Sequence, residues 1–146
     1  MPMYLSIIPT LLLAFVLQTS QIKFEQLVGT WQLVHFDAMD ELRNSPQYKD
    51  SNAAMRGGIE YKIKNRLENT IYEFIPGDTL KYTDYVQQEV VQKEAKVEIS
   101  SDNILIIHTG TETRKAKIVE FETDRMVLEP VSKNPGSGKL VFERIK

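Results

Sequence analysis

The most regular pattern in the chain is the alternation of short apolar segments with turn sequences, which runs from residue 70 to the end. The segments are rich in Val, Ile, Thr and aromatic residues, and the turns between them contain Pro, Gly, Asp, Asn and Ser. Such segments are typical of β-strands that bury one face. With one similar segment before residue 40, the pattern predicts eight strands, at 27–36, 70–75, 79–86, 95–99, 104–108, 114–121, 125–129 and 140–145.

The spacing of these strands predicts an all-β fold, either an antiparallel barrel or a sandwich. The turn Pro76-Gly77-Asp78 supports antiparallel pairing, because proline presets one backbone angle and glycine accepts the positive φ that follows. No helical segments alternate with the strands, which disfavours a parallel α/β fold. An eight-stranded up-and-down barrel has no free edges and can hold one small ligand. We therefore predict that architecture.

One segment, residues 38–69 between the first and second predicted strands, does not fit the strand pattern. Residues 51–68 can be interpreted as a helix, capped by Asp50, Ser51 or Asn52, or as a strand, since residues 59–64 alternate. Two adjacent glycines also weaken a helix. We predict a helix, because apolar residues recur every four positions along one stripe, at Met55, Ile59, Ile63 and Leu67. This partly helical insertion either packs against the barrel or forms a lid over its mouth.

The first twenty residues carry no charged side chain, and most of residues 4–17 are apolar. This run is too short and too interrupted for a membrane span, which needs about 20 apolar residues. It predicts a signal peptide over 1–20, a mature domain over 21–146, and export to the periplasm or the medium. A misassigned start or an uncleaved membrane anchor are the alternatives, because no Lys or Arg precedes the apolar core and Gln18 fits a cut after Ser20 poorly. Without cysteine, a lipoprotein tether is excluded.

The composition of the chain argues against several classes of function. The chain has 18 basic and 20 acidic residues, for a formal net charge of −2, which argues against nucleic-acid binding. The basic run Lys62, Lys64 and Arg66 is therefore interpreted as a solvated helix surface. Zero cysteines exclude thiol catalysis and thiolate metal sites. His35 and His108 lie in no catalytic or metal-binding signature, so we expect no enzyme activity, metal or cofactor.

The segment around Gly29-x-Trp31 resembles the first strand of lipocalins and their calycin relatives, above all the short bacterial exported lipocalin-like domains. Residues 72–83 are similar to the second hairpin of those domains. The resemblance implies that Trp31, the only tryptophan, closes one end of the barrel and that Arg144 packs across it. A guanidinium over an indole face is a favourable cation–π contact.

The same resemblance implies a small hydrophobic or amphipathic ligand inside the barrel. If Trp31 faces inward, alternation places Leu33 and His35 on its face and Phe36 on the opposite face. His35 would then be the internal polar contact, or else a structural histidine. We predict the ligand-binding residues Leu33, His35, Tyr72, Phe74, Tyr82, Met126 and Phe142, with Leu80, Leu128 and Leu140 as further lining candidates.

Two alternatives remain open. The lining side chains could fill the barrel and leave no cavity. The protein could also be an interaction module or inhibitor in the cell envelope, with a protein partner bound by the loops and the 38–69 insertion.

Overall fold

The computed structural model describes residues 20–86, 89–131 and 138–145, so nearly all of the predicted leader 1–20 lies outside the described residues. No helix within these ranges is long and apolar enough to cross a membrane. The helices are α1 (Phe24–Leu27), α2 (Asp37–Asn44), α3 (Pro46–Lys49) and α4 (Ala53–Asn69). The strands are β1 (Gly29–Phe36), β2 (Ile71–Ile75), β3 (Thr79–Val86), β4 (Glu89–Ile99), β5 (Ile104–His108), β6 (Thr113–Phe121), β7 (Arg125–Pro130) and β8 (Leu140–Ile145).

The strands form a closed barrel in sequence order, which confirms the predicted fold class. Each strand pairs antiparallel with the next, and β8 returns to pair with β1, so that Trp31 lies between Tyr72 and Arg144. The hairpin between β2 and β3 turns as predicted, with φ of 97° at Gly77 and 58° at Asp78. Closure satisfies both edges of the sheet with backbone hydrogen bonds.

Large side chains fill much of the barrel interior. Apolar side chains that point inward from the strands pack against one another in a single core. The largest fully buried side chains are Trp31, Phe74, Phe142, Leu27, Leu33, Leu80, Leu105, Met126 and Leu128.

Two strands begin more than one residue away from their predicted starts. The first starts at Gly29 rather than at residue 27, because Phe24–Leu27 forms the helical turn α1 and buries Leu27. The fourth starts at Glu89 rather than at residue 95. Residues 89–94 are all exposed, so their sequence lacks the apolar alternation that identifies a half-buried strand.

The 38–69 insertion is helical, as predicted. Asn52 caps α4, because its side-chain oxygen accepts a hydrogen bond from the Met55 amide at 2.9 Å. The apolar stripe explains the docking of the helix: Ile63 is buried, and Ile59 and Leu67 pack against the core. Met55, in the first turn of α4, is exposed.

A β-bulge in β1 overturns the predicted orientation of His35. The register between β1 and β8 shifts between Leu33 and His35, which moves the inward phase by one residue. Phe36 is consequently buried, while the His35 side chain is one-third exposed and its Nε2 lies 2.8 Å from Asp40 Oδ2. The prediction that His35 shares the inward face of Trp31, and that Phe36 does not, is wrong.

Candidate ligand-binding site

One end of the barrel is closed by Trp31 and Arg144. The indole Nε1 of Trp31 donates to the Leu27 carbonyl at 2.8 Å, and the Arg144 guanidinium carbon lies 4.3 Å from the indole centroid. The same guanidinium donates to the carbonyls of Val28 (2.6 Å), Gln26 (2.9 Å) and Thr123 (2.8 Å). One side chain therefore joins the segment before β1 to the turn before β7.

Gly29 makes this arrangement possible. Its φ is 132°, a conformation that side chains with a Cβ rarely adopt. A Cβ at this position would lie 2.5 Å from Nη1 of Arg144. The glycine of the Gly-x-Trp element thus provides both the backbone angle and the space that the arginine occupies.

The N-terminal segment covers the same end. Asn103, in the turn before β5, has φ of 59° and is buried. Its Oδ1 accepts a hydrogen bond from the Ile22 amide at 2.7 Å. This contact holds the chain across the closed end just before α1 begins.

The opposite end of the barrel opens into a cavity of about 900 Å³ between the strands and α4. This volume is within the range of small-molecule sites, about 300–1,000 Å³. Helix α4 forms one wall, and the strands provide the floor and the other walls. The lining residues are Leu33, Gly58, Tyr61, Lys62, Asn65, Arg66, Thr70, Tyr72, Tyr82, Thr83, Arg114 and Leu140.

The floor of the cavity rests on a cluster of aromatic rings, of which Tyr72 and Tyr82 line the cavity. Tyr72 stacks on Phe142 with ring centroids 4.8 Å apart. It also meets Tyr82 at 6.2 Å and Phe74 at 6.4 Å, both edge to face. These geometries are favourable for aromatic pairs, so the floor is an ordered apolar surface with two tyrosines at its top.

The structure brings together only some of the predicted ligand-binding residues. Leu33, Tyr72 and Tyr82 line the cavity, and so does Leu140. Phe74, Met126 and Phe142 are fully buried and belong to the packed core below it. His35 does not line the cavity.

Sequence reasoning missed the residues that α4 contributes to the site. Gly58, Lys62 and Arg66 follow one another at four-residue intervals and so lie on one face of the helix, adjacent to the apolar stripe. Lys62 and Arg66 are exposed, as interpreted, but they also line the cavity. The four-residue spacing is the sequence signal that places these residues on one face of the helix. It identifies them as lining residues only once the helix is known to cover the mouth of the barrel.

Helix α4 is held in place by a polar cluster that joins it to α2 and α3. Glu60 accepts two hydrogen bonds from Arg43, at 2.9 and 2.8 Å, and one from the Tyr48 hydroxyl at 2.8 Å. The bond from Arg43 is the main cause that lowers the pKa of the Glu60 carboxyl, followed by the bond from Tyr48. The hydrogen bond to Glu60 likewise raises the pKa of both Arg43 and Tyr48.

In the described part of the chain, the charged side chains on the cavity wall are all basic: Lys62, Arg66 and Arg114. Arg114 is paired, since its Nη2 lies 2.7 Å from the Glu112 carboxylate, and this hydrogen bond raises the pKa of Arg114. The Arg66 guanidinium lies over the Phe36 ring, 4.2 Å from its centroid.

A closed eight-stranded barrel, sealed at one end by a tryptophan–arginine pair and open at the other, defines a calycin-type β-barrel. The sequence matches the profile of the lipocalin-like domain family over residues 27–128, and the chain belongs to that family. The fold is also similar to that of bovine odorant-binding protein, solved in complex with a selenium-containing odorant. That similarity has 13% identity and a TM-score of 0.43, and it covers 88% of this chain and 76% of the other. No functionally curated protein matches the sequence.

Proposed function

We propose that the protein binds a small hydrophobic or amphipathic molecule in the cavity at the open end of the barrel, without catalysis. The observation that carries the proposal is the cavity itself, about 900 Å³ in volume, with an aromatic and aliphatic floor. Burial of an apolar ligand on that floor provides the driving force, at about 25 cal/mol per Å² removed from water. Polar groups on α4 and at the strand ends would orient the ligand.

Two adjacent glycines in α4 offer a matched test. Gly57 and Gly58 both have open space where a Cβ would stand, but only Gly58 lines the cavity. A bulky side chain introduced at Gly58 occupies the mouth of the cavity, whereas the same side chain at Gly57 does not.

We expect Gly58→Trp to weaken binding of the neutral fluorescent probe N-phenyl-1-naphthylamine at least tenfold, while Gly57→Trp binds it like the parent protein. Fluorescence titration measures both affinities, and circular dichroism confirms that both variants are folded. Equal affinities in the two variants, or no binding by the parent protein, would contradict the proposed site. Native mass spectrometry of the parent protein, purified without detergent from the cells that make it, then identifies the natural ligand from its released mass.

A second candidate function is binding of a protein partner through the 38–69 insertion. Three large apolar side chains of α2 and α4 are exposed there, Leu42 at 44%, Met55 at 59% and Tyr61 at 65%. Exposed apolar surface of this kind marks interaction sites when it is contiguous. A partner recovered by crosslinking from an envelope fraction, and lost in Met55→Ser, would favour this function.

The proposal also includes export. Its support is the uncharged, largely apolar composition of residues 1–20. N-terminal sequencing of the protein from separated cell fractions tests it. A chain that begins near Gln21 outside the cytoplasm supports cleavage, and an intact chain in the membrane fraction favours the uncleaved anchor.

A further inference from the structure

The charge of the cavity wall differs from that of the whole molecule. The chain contains 20 acidic and 18 basic residues, yet among the residues that the structure describes the cavity is lined by three basic side chains and by no Asp or Glu. Since the net charge of the chain is negative, the positive lining is a local property of this end of the barrel. A positive wall favours an anion and raises its local concentration.

Lys62 and Arg66 are adjacent on α4, because residues four apart occupy the same helix face. Both acidic residues of α4 are engaged with other cations: Glu60 binds Arg43, and Glu68 pairs with Lys64 at 3.8 Å. Within the described ranges, neither Lys62 nor Arg66 pairs with a carboxylate. Their charge is therefore available to a ligand in the cavity.

The other basic residue on the wall contributes less. Arg114 approaches from β6, but Glu112 already holds two of its nitrogens, at 2.9 and 2.7 Å. Arg66 has a contact of a different kind, since its guanidinium lies over the Phe36 ring, and this cation–π contact uses none of its hydrogen-bond donors. We therefore place the anion-binding function at Lys62 and Arg66.

The apolar surface lies below these cations. Leu33, Leu140 and the stacked ring of Tyr72 form the floor, and Lys62 and Arg66 stand at the rim. A molecule that satisfies both surfaces has a compact anionic group at one end and an apolar body at the other.

We infer that the natural ligand is an anionic amphiphile, whose carboxylate or phosphate group is bound by Lys62 and Arg66 while its apolar chain lies on the floor. This inference rests on the proposed ligand-binding function and adds the charge of the ligand to it. It predicts preference for anions over neutral and cationic molecules of the same chain length. It also predicts that the preference weakens as salt is added, because both cations are exposed.

Displacement of N-phenyl-1-naphthylamine by four twelve-carbon amphiphiles tests the inference, at concentrations below micelle formation. The four are dodecanoate, dodecyl phosphate, dodecanol and dodecyltrimethylammonium. We expect one or both anions to bind about tenfold more tightly than dodecanol, and the cation to bind most weakly. The tighter of the two anions distinguishes a carboxylate ligand from a phosphate ligand.

Lys62→Met should reduce the affinity for the anion about tenfold and leave that for dodecanol unchanged. Lys64→Met is the matched control, since Lys64 lies on the same helix outside the cavity lining, and it should change neither affinity. Equal binding of anion and alcohol, or loss of anion preference in the control alone, would overturn the inference and leave the ligand-binding function intact. Failure of all four amphiphiles and of the probe would overturn both.

Discussion

At the scale of the residue, Arg144 connects several segments of the chain at the closed end of the barrel. It combines a cation–π contact with Trp31 and hydrogen bonds to three backbone carbonyls in two separate segments. A planar guanidinium can make these contacts simultaneously, whereas an ammonium group cannot. The residue stabilises the fold at the end opposite the cavity.

Arg144→Met should lower the free energy of unfolding by about 2–4 kcal/mol, since the cation–π contact and several charged hydrogen bonds are lost. Arg144→Lys should recover little of that loss. Urea denaturation followed by Trp31 fluorescence measures both. Arg125→Met is the control, because the one contact of the Arg125 side chain among the described residues is an exposed ion pair with Glu120 at 3.0 Å, and a change below about 1 kcal/mol is expected there.

The glycine of the Gly-x-Trp element is equally constrained. Gly29→Ala should destabilise the protein by about 2–3 kcal/mol, because its φ is 132° and the new methyl group would clash with Arg144. Gly57→Ala should have the opposite effect and stabilise the protein by up to about 1 kcal/mol, since Gly57 lies in a helix and a Cβ there would meet no other atom. Thermal unfolding of both variants checks the pair, and a neutral Gly29→Ala would show that the close approach of Arg144 is dispensable.

At the scale of the element, the helical insertion determines where the cavity lies. Helix α4 has an apolar stripe that packs on the barrel and a polar face that forms the cavity wall. The Arg43–Glu60–Tyr48 cluster fixes this helix to α2 and α3. The position of the cavity wall therefore depends on a polar cluster outside the cavity.

That cluster should make the docking of the insertion depend on pH. The folded state lowers the pKa of Glu60, so the folded protein binds the proton of this carboxyl less tightly than the unfolded chain does. Its stabilising contribution is complete above the ordinary carboxyl pKa of 4.5 and is lost as the pH falls through the lowered folded value.

Glu60→Gln tests this dependence. At pH 7 the variant should be less stable than the parent protein and should exchange the amide hydrogens of α2 and α3 faster. The difference in unfolding free energy between the two proteins should shrink as the pH falls below about 4. A difference that stays constant from pH 7 to pH 3 would show that the charge of Glu60 does not matter.

At the scale of the whole molecule, the two ends of the barrel differ in structure and in proposed role. The closed end is packed with large side chains and sealed by Arg144, and the open end holds the cavity. Closure of β8 onto β1 couples the two ends, since every strand is paired on both sides. Ligand bound at the open end should therefore stabilise the entire barrel.

A ligand present at about 100 times its Kd should add about 2.7 kcal/mol to the unfolding free energy, and raise Tm by about 6–12 °C for a chain of this length. Thermal unfolding with and without the bound amphiphile measures the shift. Gly58→Trp should lose the shift, and Gly57→Trp should keep it. An unchanged Tm at saturating ligand would mean that the ligand binds the unfolded chain equally well.

The outline of this architecture was already contained in the sequence. Strand periodicity and turn chemistry are local properties, so the eight strands, the turn at Gly77 and the helix over residues 53–69 could all be predicted from neighbouring residues. The pairing of Trp31 with Arg144 followed from a family resemblance, since nothing local connects positions so far apart in the chain.

What the sequence pattern could not locate depends on contacts between distant segments. The bulge that turns His35 outward arises where β1 pairs with β8, and a strict two-residue alternation of side chains cannot predict it. Similarly, the segment 89–94 is a strand because of its hydrogen bonds to β3, although none of its side chains is buried.

The cavity is the clearest case of a feature that depends on distant contacts. The local sequence around Lys62 and Arg66 predicts a solvated helix surface. These residues become part of the cavity wall only because α4 docks over the open end of the barrel. Local patterning thus determined the elements, whereas strand closure and helix docking decided which side chains meet, because these are long-range contacts that no short stretch of sequence encodes.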